Sequence, residues 1–347
     1  MKLEIDIVAA RMRAPFVSAT GSVQTRLLAL VRLEHMDGAV GFGEAAPLPS
    51  YDRVTVDDVV VALEGCREVL ARGEEIPREQ VLEECARLGV LPQALAALDL
   101  ALWDLEGHRS GEPVWRLLGG EAGRELVVNH AIAAPDRARA AGEALAASRA
   151  GFRTLKVKVG IGDDAGRLAA VRAAAGPEVA IRLDANGAWT VDEAAASLRA
   201  LSPAGLELCE QPVASLNEVS QLSELTLLPL SLDESTTDPG ALDRRVCDAV
   251  CLKVARSGGI TGMLESARRA RASGYEVYLA SSLDGPLGIA AALHAAAVIA
   301  PDRPSGLATL LQFADRDDPL PARDGRIALP DGPGLGDGLL RWYGLGD

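Results

Sequence analysis

The first fifty residues alternate apolar and polar positions with a period of two, which indicates β-strands rather than helices. The stretch LLALVRLEHMDGAVGFGEAAPL fits a hairpin that turns at Asp37 and Gly38. From residue 55 to about 118 the apolar spacing becomes helical, and PQALAALDLALWDLEGHRSG is the best-marked helix. Strands followed by helices predict an N-terminal α+β capping domain over residues 1–123.

The rest of the chain has a different pattern, in which short apolar runs alternate with alanine-rich helical segments. The runs that we interpret as strands are LVVNHAI, TLKVKVG, VAIRLDA, LELCEQP, LPLSLDES, AVCLKVA, YEVYLAS and PSGLATL. Their regular spacing, with a helix after most of them, predicts an α/β fold: a (β/α)8-type barrel with a modified closure over residues 124–320. A doubly wound parallel sheet is the alternative. The tail, residues 321–347, is expected to return to the capping domain.

Polar side chains recur at the carboxyl ends of the predicted barrel strands, where a buried strand should be apolar. They are Lys156, Lys158, Arg182, Asp184, Asn186, Glu210, Asp233, Glu234 and Lys253. A single Lys-x-Lys pair is typical of a solvent-facing edge, and a single aspartate is typical of a helix cap. Five successive strands with charges at the same end indicate instead one shared site, because the carboxyl ends of barrel strands meet at one face.

The three carboxylates of this set would repel one another unless a cation neutralised them. An oxygen-only ligand set, here Asp184, Glu210 and Asp233, favours Mg²⁺, with Mn²⁺ as a second option. A lysine beside another ammonium group has a lowered pKa and can serve as a base near neutral pH. We therefore predict that one lysine of the pair Lys156 and Lys158 moves a proton, while the other tunes it and helps to bind substrate.

Composition restricts the partners and the compartment. The net charge of −14 argues against nucleic acid or an anionic membrane as the main partner. The longest apolar run, LGIAAALHAAAVIA, is too short to span a bilayer and predicts a buried helix. Acidic residues in MKLEIDIVAA argue against a signal peptide, and five cysteines without a CxxC pair argue against disulfides or zinc. A cytoplasmic protein with a small-molecule substrate is expected, and a homo-oligomer is left open.

These residues resemble the motifs of the enolase superfamily, in particular its muconate-lactonizing-enzyme subgroup. The matching barrel pieces are KVK, RLDANGAW, CEQP, LDES and CLKVARSGGI, and the matching pieces of the capping domain are GFGEAAPL and ALWDLEG. The resemblance implies abstraction of a proton alpha to a carboxylate, with Mg²⁺ stabilising the enediolate that forms.

Carried over by position, the resemblance implies roles for individual residues. Asp184, Glu210 and Asp233 would bind the metal. Lys158 would be the base on one face of the substrate, and Lys253 would lie on the opposite face as acid, second base or cationic stabiliser. Lys156 would contact the substrate carboxylate and lower the pKa of Lys158.

Within the subgroup, the resemblance favours o-succinylbenzoate synthases, lyases that carry out a dehydration in menaquinone biosynthesis. SSLDGPLG and PSGLATL are similar to the stretches that receive the succinyl chain in those enzymes. The predicted substrate contacts are Lys156, Arg182, Asn186, Ser281, Ser282 and Gly306. Dipeptide epimerases typically carry an Asp-x-Asp near the last barrel strand, which is missing here. The alternatives are an N-succinylamino acid racemase or dipeptide epimerase, and a non-catalytic barrel that binds a carboxylate through metal.

Three further expectations concern the surroundings of the site. The segment at residues 14–26 should close over it. Glu234 should face away from the metal ligands, either outside their immediate contacts or as a partner of Lys253. Asp284 should point outward or cap the helix that begins near Pro286, because an inward carboxylate would favour a cationic substrate.

Overall fold

The computed structural model describes residues 1–73, 76–121 and 125–345. The predicted domain boundary between residues 123 and 124 and the last two residues of the tail lie outside this described part. Within it, one antiparallel sheet with its helices covers one end of a curled parallel sheet that has helices on its outside.

The N-terminal sheet has three antiparallel strands in the order β1-β2-β3. They are β1 (Lys2–Ser18), β2 (Gly21–Glu34) and β3 (Val40–Ala45). The predicted hairpin is confirmed, because β2 pairs with β3 across the turn and Gly38 takes a positive φ of 86° there. Such a φ suits glycine, which has no Cβ to clash with the backbone.

In the described residues, six helices follow this sheet. They are α1 (Pro49–Asp52), α2 (Val56–Gly65), α3 (Arg67–Arg72), α4 (Arg78–Arg87), α5 (Pro92–Ser110) and α6 (Val114–Leu117). Helix α5 is the predicted long helix, and it ends at Gly111 in the left-handed conformation. Strand β3 lies directly on α5: a Cβ built on Gly43 would be 2.0 Å from the Ala97 carbonyl oxygen. Glycine at this position is what allows the two backbones to touch.

The second sheet has seven parallel strands in the order β11-β10-β9-β8-β7-β6-β5. With β4 (Glu125–Val127), which lies outside this sheet, the strands are β5 (His130–Ile132), β6 (Thr154–Lys158), β7 (Ala180–Asp184), β8 (Leu206–Glu210), β9 (Leu230–Leu232), β10 (Ala249–Leu252) and β11 (Glu276–Leu279). The helices are α7 (Arg137–Arg149), α8 (Asp164–Ala175), α9 (Val191–Leu201), α10 (Leu216–Ser223), α11 (Val254–Ser257), α12 (Ile260–Ala272) and α13 (Pro286–Ile299). The apolar run around His294 is the buried helix α13, as predicted.

The eighth predicted strand, PSGLATL, is not a regular strand. It closes the barrel through isolated bridges, Val128 with Ser305 and Ala280 with Gly306, so it lies between the first and last strands of the sheet. The predicted fold class is confirmed, including the modified closure. The doubly wound alternative is wrong, because a doubly wound sheet does not close on itself.

The first predicted barrel strand, LVVNHAI, is divided into two short strands. Its first half, β4, pairs antiparallel with β12 (Arg326–Ala328), and only its second half, β5, joins the barrel sheet. After β12 the chain contacts the N-terminal elements: the Gly334 carbonyl accepts a hydrogen bond from the Val114 amide, and the Tyr343 hydroxyl donates one to Glu44. Within the described residues, no helix combines the length and apolar character that crossing a membrane requires.

Candidate active site

The register of neighbouring strands brings charged residues into one row inside the barrel. Lys158 on β6 is paired with Asp184 on β7, and Asp184 is paired with Glu210 on β8. Because side chains alternate along a strand and the strands are parallel, all three point to the same side. Lys156, two residues before Lys158, points to that side as well and is also buried.

The two lysines of β6 share Asp184 and differ in their second partner. The Lys156 ammonium lies 2.5 Å from a Glu210 oxygen and 2.9 Å from Asp184 Oδ2. The Lys158 ammonium lies 2.6 Å from the same Asp184 oxygen and donates to Asn186 Oδ1 at 2.8 Å. Lys156 thus joins two carboxylates, whereas Lys158 binds one carboxylate and one neutral amide.

A third lysine enters from the other side of the barrel. Lys253 directly follows β10 and contacts Asp233 Oδ1, and it also donates to the Tyr51 hydroxyl at 2.8 Å. Tyr51 in turn donates to Asp233 Oδ1 at 2.7 Å. The seven strands and the closing segment form a ring of eight, in which β6 and β10 are four positions apart in either direction. Lys158 and Lys253 therefore face each other across the interior of the barrel.

The charges around these lysines determine their protonation. Burial alone would lower the pKa of Lys156, but the charges of Asp184 and Glu210 outweigh it and raise that pKa well above its ordinary value. The same holds for the pKa of Lys253, where burial is outweighed mainly by Asp233. A cation bound to those carboxylates would remove the cause of the rise.

The carboxylates themselves fit a divalent cation. Asp184, Glu210 and Asp233 are buried at the ends of three consecutive strands, and Asp233 Oδ2 has no hydrogen-bond partner among the described residues. Oxygen atoms of Glu210 and Asp233 lie within 4.8 Å of each other and of the Cys251 sulfur. Asp184 is joined to Glu210 through Lys156 instead. A buried, unpartnered carboxylate oxygen among oxygen ligands suits Mg²⁺.

The three lysines, Asp184 and Asp233 line a cavity of about 80 Å³. Across the barrel from β7, β8 and β9, this cavity is bounded by residues 281–283 after β11 and residues 306–309 of the closing segment, which we call the distal wall. The capping domain supplies the remaining side through Phe16, Ser18, Thr20, Val23, Leu48, Ser50 and Tyr51. The segment at residues 14–26 therefore does lie over the site, but as the tip of the β1–β2 hairpin rather than as a loop.

Two family models match this chain over most of its length. Residues 2–119 match the mandelate racemase / muconate lactonizing enzyme N-terminal domain, and residues 138–339 match the enolase C-terminal domain-like model. The chain belongs to the enolase superfamily. It is an enzyme of that superfamily's muconate-lactonizing-enzyme-like subgroup, whose shared chemistry is metal-dependent proton abstraction.

Similar enolase-superfamily proteins include epimerases and a racemase. The L-Ala-D/L-Glu epimerase of Bacillus subtilis (strain 168) is 32% identical over 311 residues, covering 86% of this chain and 84% of the epimerase. A dipeptide epimerase of Cytophaga hutchinsonii, solved with Mg and the dipeptide D-Ala-L-Val, has a TM-score of 0.88 at 25% identity, covering 97% of this chain and 96% of that one. The N-succinyl Arg/Lys racemase of Bacillus cereus ATCC 14579 has a TM-score of 0.89 at 26% identity, covering 96% and 94%.

One predicted substrate contact of this enolase-superfamily site is wrong. Arg182 is fully buried and does not line the cavity. Its guanidinium forms a paired contact with both Glu207 oxygens, at 2.9 and 3.0 Å, and donates to the Pro304 carbonyl at 2.6 Å. Arg182 lies two residues before Asp184 on the same strand face, hence about 7 Å deeper in the barrel. It ties β7 to β8 and to the closing segment.

The other predicted substrate contacts, Lys156, Asn186, Ser281, Ser282 and Gly306, all line the cavity. The Ser281 hydroxyl is 2.8 Å from the Thr309 hydroxyl and accepts from the Leu283 amide. The Ser282 hydroxyl oxygen is buried without a partner in the described structure. Their contact with a substrate stays a prediction.

The expectations for two neighbouring acids are corrected. Glu234 does not face away, because it accepts a hydrogen bond from the side-chain amide of Asn186 at 2.9 Å, beside Lys158. Its place outside the immediate contacts of the metal, or as a partner of Lys253, stays a prediction. Asp284 does not point outward: it is buried, and within the described part of the chain its carboxylate accepts a hydrogen bond from the Ser282 amide alone. It makes no side-chain cap on α13, and it does not line the cavity either.

Three side chains at the site were not singled out from the sequence. Tyr51 reaches Asp233 and Lys253 from the capping domain. Tyr278 donates to Glu210 at 2.7 Å from β11, and Cys251 lies beside Glu210 and Asp233. The alternation of side chains along a strand, which indicated the charged residues, could also have indicated Cys251 and Tyr278. Cys251, for example, precedes Lys253 by two positions and therefore lies on the same face of its strand. Nothing in the local sequence indicates Tyr51.

Proposed function

We propose that this protein is a Mg²⁺-dependent racemase or epimerase that moves the alpha proton of an N-acylated amino acid. The observation that carries the proposal is that Lys158 and Lys253 enter one cavity from opposite sides of the barrel. Inversion at a carbon atom requires a proton to leave one face and another to arrive at the opposite face, so each face needs its own acid or base. The names of the similar proteins support this reading, because a dipeptide and an N-succinylamino acid share an N-acylated amino acid unit.

Composition adds support for proton transfer by these lysines. Only four residues of the 35 lysines and arginines are lysine, and three of the four are Lys156, Lys158 and Lys253. Arginine carries charge equally well but cannot release its proton at accessible pH, whereas lysine can. The chain thus keeps lysine almost solely where an ammonium group could titrate.

In this proposal, Lys158 removes the alpha proton from one face and Lys253 protonates the other, with the roles exchanged for the opposite enantiomer. Lys156 would bind the substrate carboxylate, and Asn186 would orient the Lys158 amine through its 2.8 Å contact. Asp184, Glu210 and Asp233 would hold Mg²⁺, which when bound supplies positive charge for the carboxylate oxygens of the deprotonated substrate. The capping-domain residues over the cavity would exclude water.

The residues of the distal wall favour a substrate whose acyl group carries no ammonium charge. None of the described residues that form it carries a carboxylate, and the Ser282 hydroxyl is buried there without a partner. A buried, unpaired hydroxyl is stabilised by a ligand oxygen that accepts its hydrogen bond. An N-succinyl or similar acyl group offers such oxygens, whereas the free amino terminus of a dipeptide would find no anionic partner at this wall.

The second candidate is the dehydration carried out by o-succinylbenzoate synthases. The same carboxylate-free wall favours it, because that substrate also carries a succinyl chain. Here Lys158 would remove the proton and return it to the departing hydroxyl, so that Lys253 would act only as a cation. We place this reaction second because the similar proteins are epimerases, racemases and cycloisomerases.

The test is a substrate panel in D₂O with Mg²⁺, containing N-succinylamino acids of both configurations, dipeptides and the cyclohexadiene carboxylate. NMR would follow exchange of the alpha proton, and chiral chromatography would follow inversion. We expect exchange and inversion of N-succinylamino acids, both lost with EDTA and restored by Mg²⁺. Ser282→Ala should raise KM for the acyl substrate by roughly 3- to 10-fold, the effect of one lost hydrogen bond, with little change in kcat. Dehydration without inversion would replace the first candidate by the second, and absence of exchange, inversion and dehydration alike would contradict both.

A further inference from the structure

A buried cluster of ionisable side chains lies behind the distal wall, separate from the catalytic lysines and carboxylates. Arg26 comes from β2, Glu44 from β3, Asp284 from the turn after β11 and Tyr343 from the C-terminal tail. All four are less than 10% exposed to solvent. The cluster therefore joins three distant parts of the chain at one place.

Arg26 connects two segments that line the cavity. Its guanidinium donates to the carbonyl oxygens of Ala46 and Pro47 in the capping domain, at 3.1 and 2.6 Å. It also donates to the Leu283 carbonyl of the distal wall at 3.3 Å. The segment after Pro47 carries Leu48 and Tyr51 into the cavity, so one buried side chain fixes both sides of the same opening.

Glu44 makes a second connection between the capping domain and the turn after β11. It also contacts the C-terminal tail. Its carboxylate accepts hydrogen bonds from the Gly285 amide at 2.8 Å and from the Tyr343 hydroxyl. The Tyr343 oxygen also accepts from the Leu287 amide at 3.0 Å, at the start of α13. Gly285 leaves room for this carboxylate, since a Cβ there would be 2.2 Å from a Glu44 oxygen. The turn after β11 is thus built around Glu44.

The charges of the cluster do not balance if every acid is ionised. Arg26 faces Asp284, Glu44 and Asp52, and Asp284 also faces Lys253 at longer range. One Asp284 oxygen is buried without a hydrogen-bond partner among the described residues. Burial, reinforced by the charge of Asp284, raises the pKa of Glu44 to about 8, and burial raises the pKa of Asp284 to about 6. Asp284 therefore loses its proton at a lower pH than Glu44 does.

We propose that Arg26, Glu44, Asp284 and Tyr343 form a clamp that sets the position of the distal wall, and with it the affinity for the acyl end of the substrate. The clamp loosens when Glu44 loses its proton, because two like charges then face each other in a buried place with a single arginine. These are positioning residues, since none of the four lines the cavity. The proposal rests on the proposed function only for the choice of substrate.

The test compares Tyr343→Phe, Glu44→Gln and the control Tyr275→Phe in the full-length enzyme with Mg²⁺. Tyr275 is also a buried tyrosine with a hydrogen-bonded hydroxyl, but its partners, Ala241, Arg244 and Val246, lie away from the cluster. The measurements are KM and kcat for an N-succinylamino acid between pH 6 and 9, and hydrogen–deuterium exchange of peptides covering residues 40–52 and 281–288. Exchange reports on the clamp even if no substrate is turned over, so failure of the proposed function and failure of the clamp are distinguishable.

We expect Tyr343→Phe to raise KM by roughly 3- to 10-fold, as for one lost hydrogen bond, with kcat changed by less than about 2-fold. In the wild type, KM should rise above about pH 8, and the protection of both peptides, which is their exchange corrected for the intrinsic rise of amide exchange with pH, should fall there. Glu44→Gln, which stays neutral, should keep both KM and protection constant. Tyr275→Phe should behave as the wild type. The clamp is refuted if Glu44→Gln and wild type show the same pH profiles, or if Tyr343→Phe and Tyr275→Phe have equal effects. Because the glutamine side chain is isosteric, the Glu44 comparison stands even if Tyr343→Phe does not fold.

Discussion

At the scale of single residues, Lys158 and Lys253 differ from Lys156 in their capacity to exchange a proton with a substrate. Lys156 is held between Asp184 and Glu210, whereas Lys158 and Lys253 each bind one carboxylate and one neutral oxygen. A lysine with a neutral partner can give up its proton while keeping that contact. The contacts therefore support two proton-transfer lysines and one binding lysine.

The first prediction concerns these two lysines. Lys158→Ala should abolish alpha-proton exchange from one enantiomer of the substrate, and Lys253→Ala should abolish it from the other, because each face keeps only its own base. Lys2→Ala, which removes the remaining lysine at an exposed position, is the matched control and should keep both activities. The measurement is deuterium incorporation from each enantiomer separately. Equal residual exchange from both enantiomers in either active-site variant would contradict the two-base assignment.

A second residue-scale prediction uses the small number of lysines. With four lysines in the chain, the amine nitrogens of a ¹⁵N-lysine-labelled sample should give four resolvable NMR signals. Without Mg²⁺, the pKa of Lys156 and of Lys253 should lie above the ordinary value, since Asp184, Glu210 and Asp233 surround them. Adding Mg²⁺ should lower both pKa values, because the cation neutralises those carboxylates. An unchanged titration of both lysines on Mg²⁺ addition would exclude these carboxylates as the metal site.

At the scale of secondary-structure elements, the capping domain depends on close contact between β3 and α5. The contact needs glycine, since a Cβ on Gly43 would overlap the Ala97 carbonyl oxygen. Strand β3 also carries Glu44, so the packing of this strand reaches the distal wall of the cavity. A shift of β3 would therefore displace the turn after β11, because Glu44 of β3 is hydrogen-bonded to Gly285 of that turn.

The third prediction follows from this contact. Gly43→Ala should lower the free energy of unfolding by about 1–3 kcal/mol or more, the usual cost of overpacking a core. Gly142→Ala is the matched control, because Gly142 is exposed within α7 and a Cβ there meets nothing within 4 Å. That substitution should raise the free energy of unfolding by about 0.5–1 kcal/mol through helix propensity. Urea unfolding of both variants is the measurement, and equal stability of the two would disprove the tight β3–α5 contact.

At the scale of the whole molecule, the capping domain, barrel and tail are joined by buried polar contacts as well as by apolar packing. Tyr51 brings the capping domain to Lys253, Arg26 brings it to the distal wall, and Tyr343 brings the tail to Glu44. The free energy of unfolding and the shape of the cavity therefore depend on the same buried polar side chains. A change in the protonation of one of these side chains should change the stability of the whole molecule.

The fourth prediction is a pH dependence of stability caused by Glu44. Its pKa is about 8 in the folded protein because of burial and the charge of Asp284, against an ordinary value of 4.5. Between these two pH values the folded state keeps a proton that the unfolded state has released, so stability falls as pH rises, by up to about 1.4 kcal/mol per pH unit. Glu44→Gln lacks this loss. The Tm difference, variant minus wild type, should grow from pH 5 to pH 8, as measured by calorimetry, and a constant difference would show that Glu44 is ionised in the folded protein.

The sequence by itself determined the barrel, the face of each strand and the set of charged residues inside it. Alternation along β6 places Lys156 and Lys158 on one side, and parallel strands put Asp184 and Glu210 in the same row. These inferences succeed because they depend on local periodicity and on a rule shared by all barrels. The roles of these residues remain predictions.

Only the tertiary structure decided the depth of each side chain and the contacts between distant segments. Arg182 obeys the same alternation as Asp184 but lies deeper, where Glu207 and the Pro304 carbonyl take up its hydrogen bonds. Asp284 is buried near Glu44 of β3 and Arg26 of β2, and Tyr51 reaches Lys253 across 202 positions of the chain. Local spacing determines the direction of a side chain relative to its own backbone, whereas its neighbours depend on how separate elements pack. That packing is set by the sum of many weak long-range contacts, none of which a short sequence pattern contains.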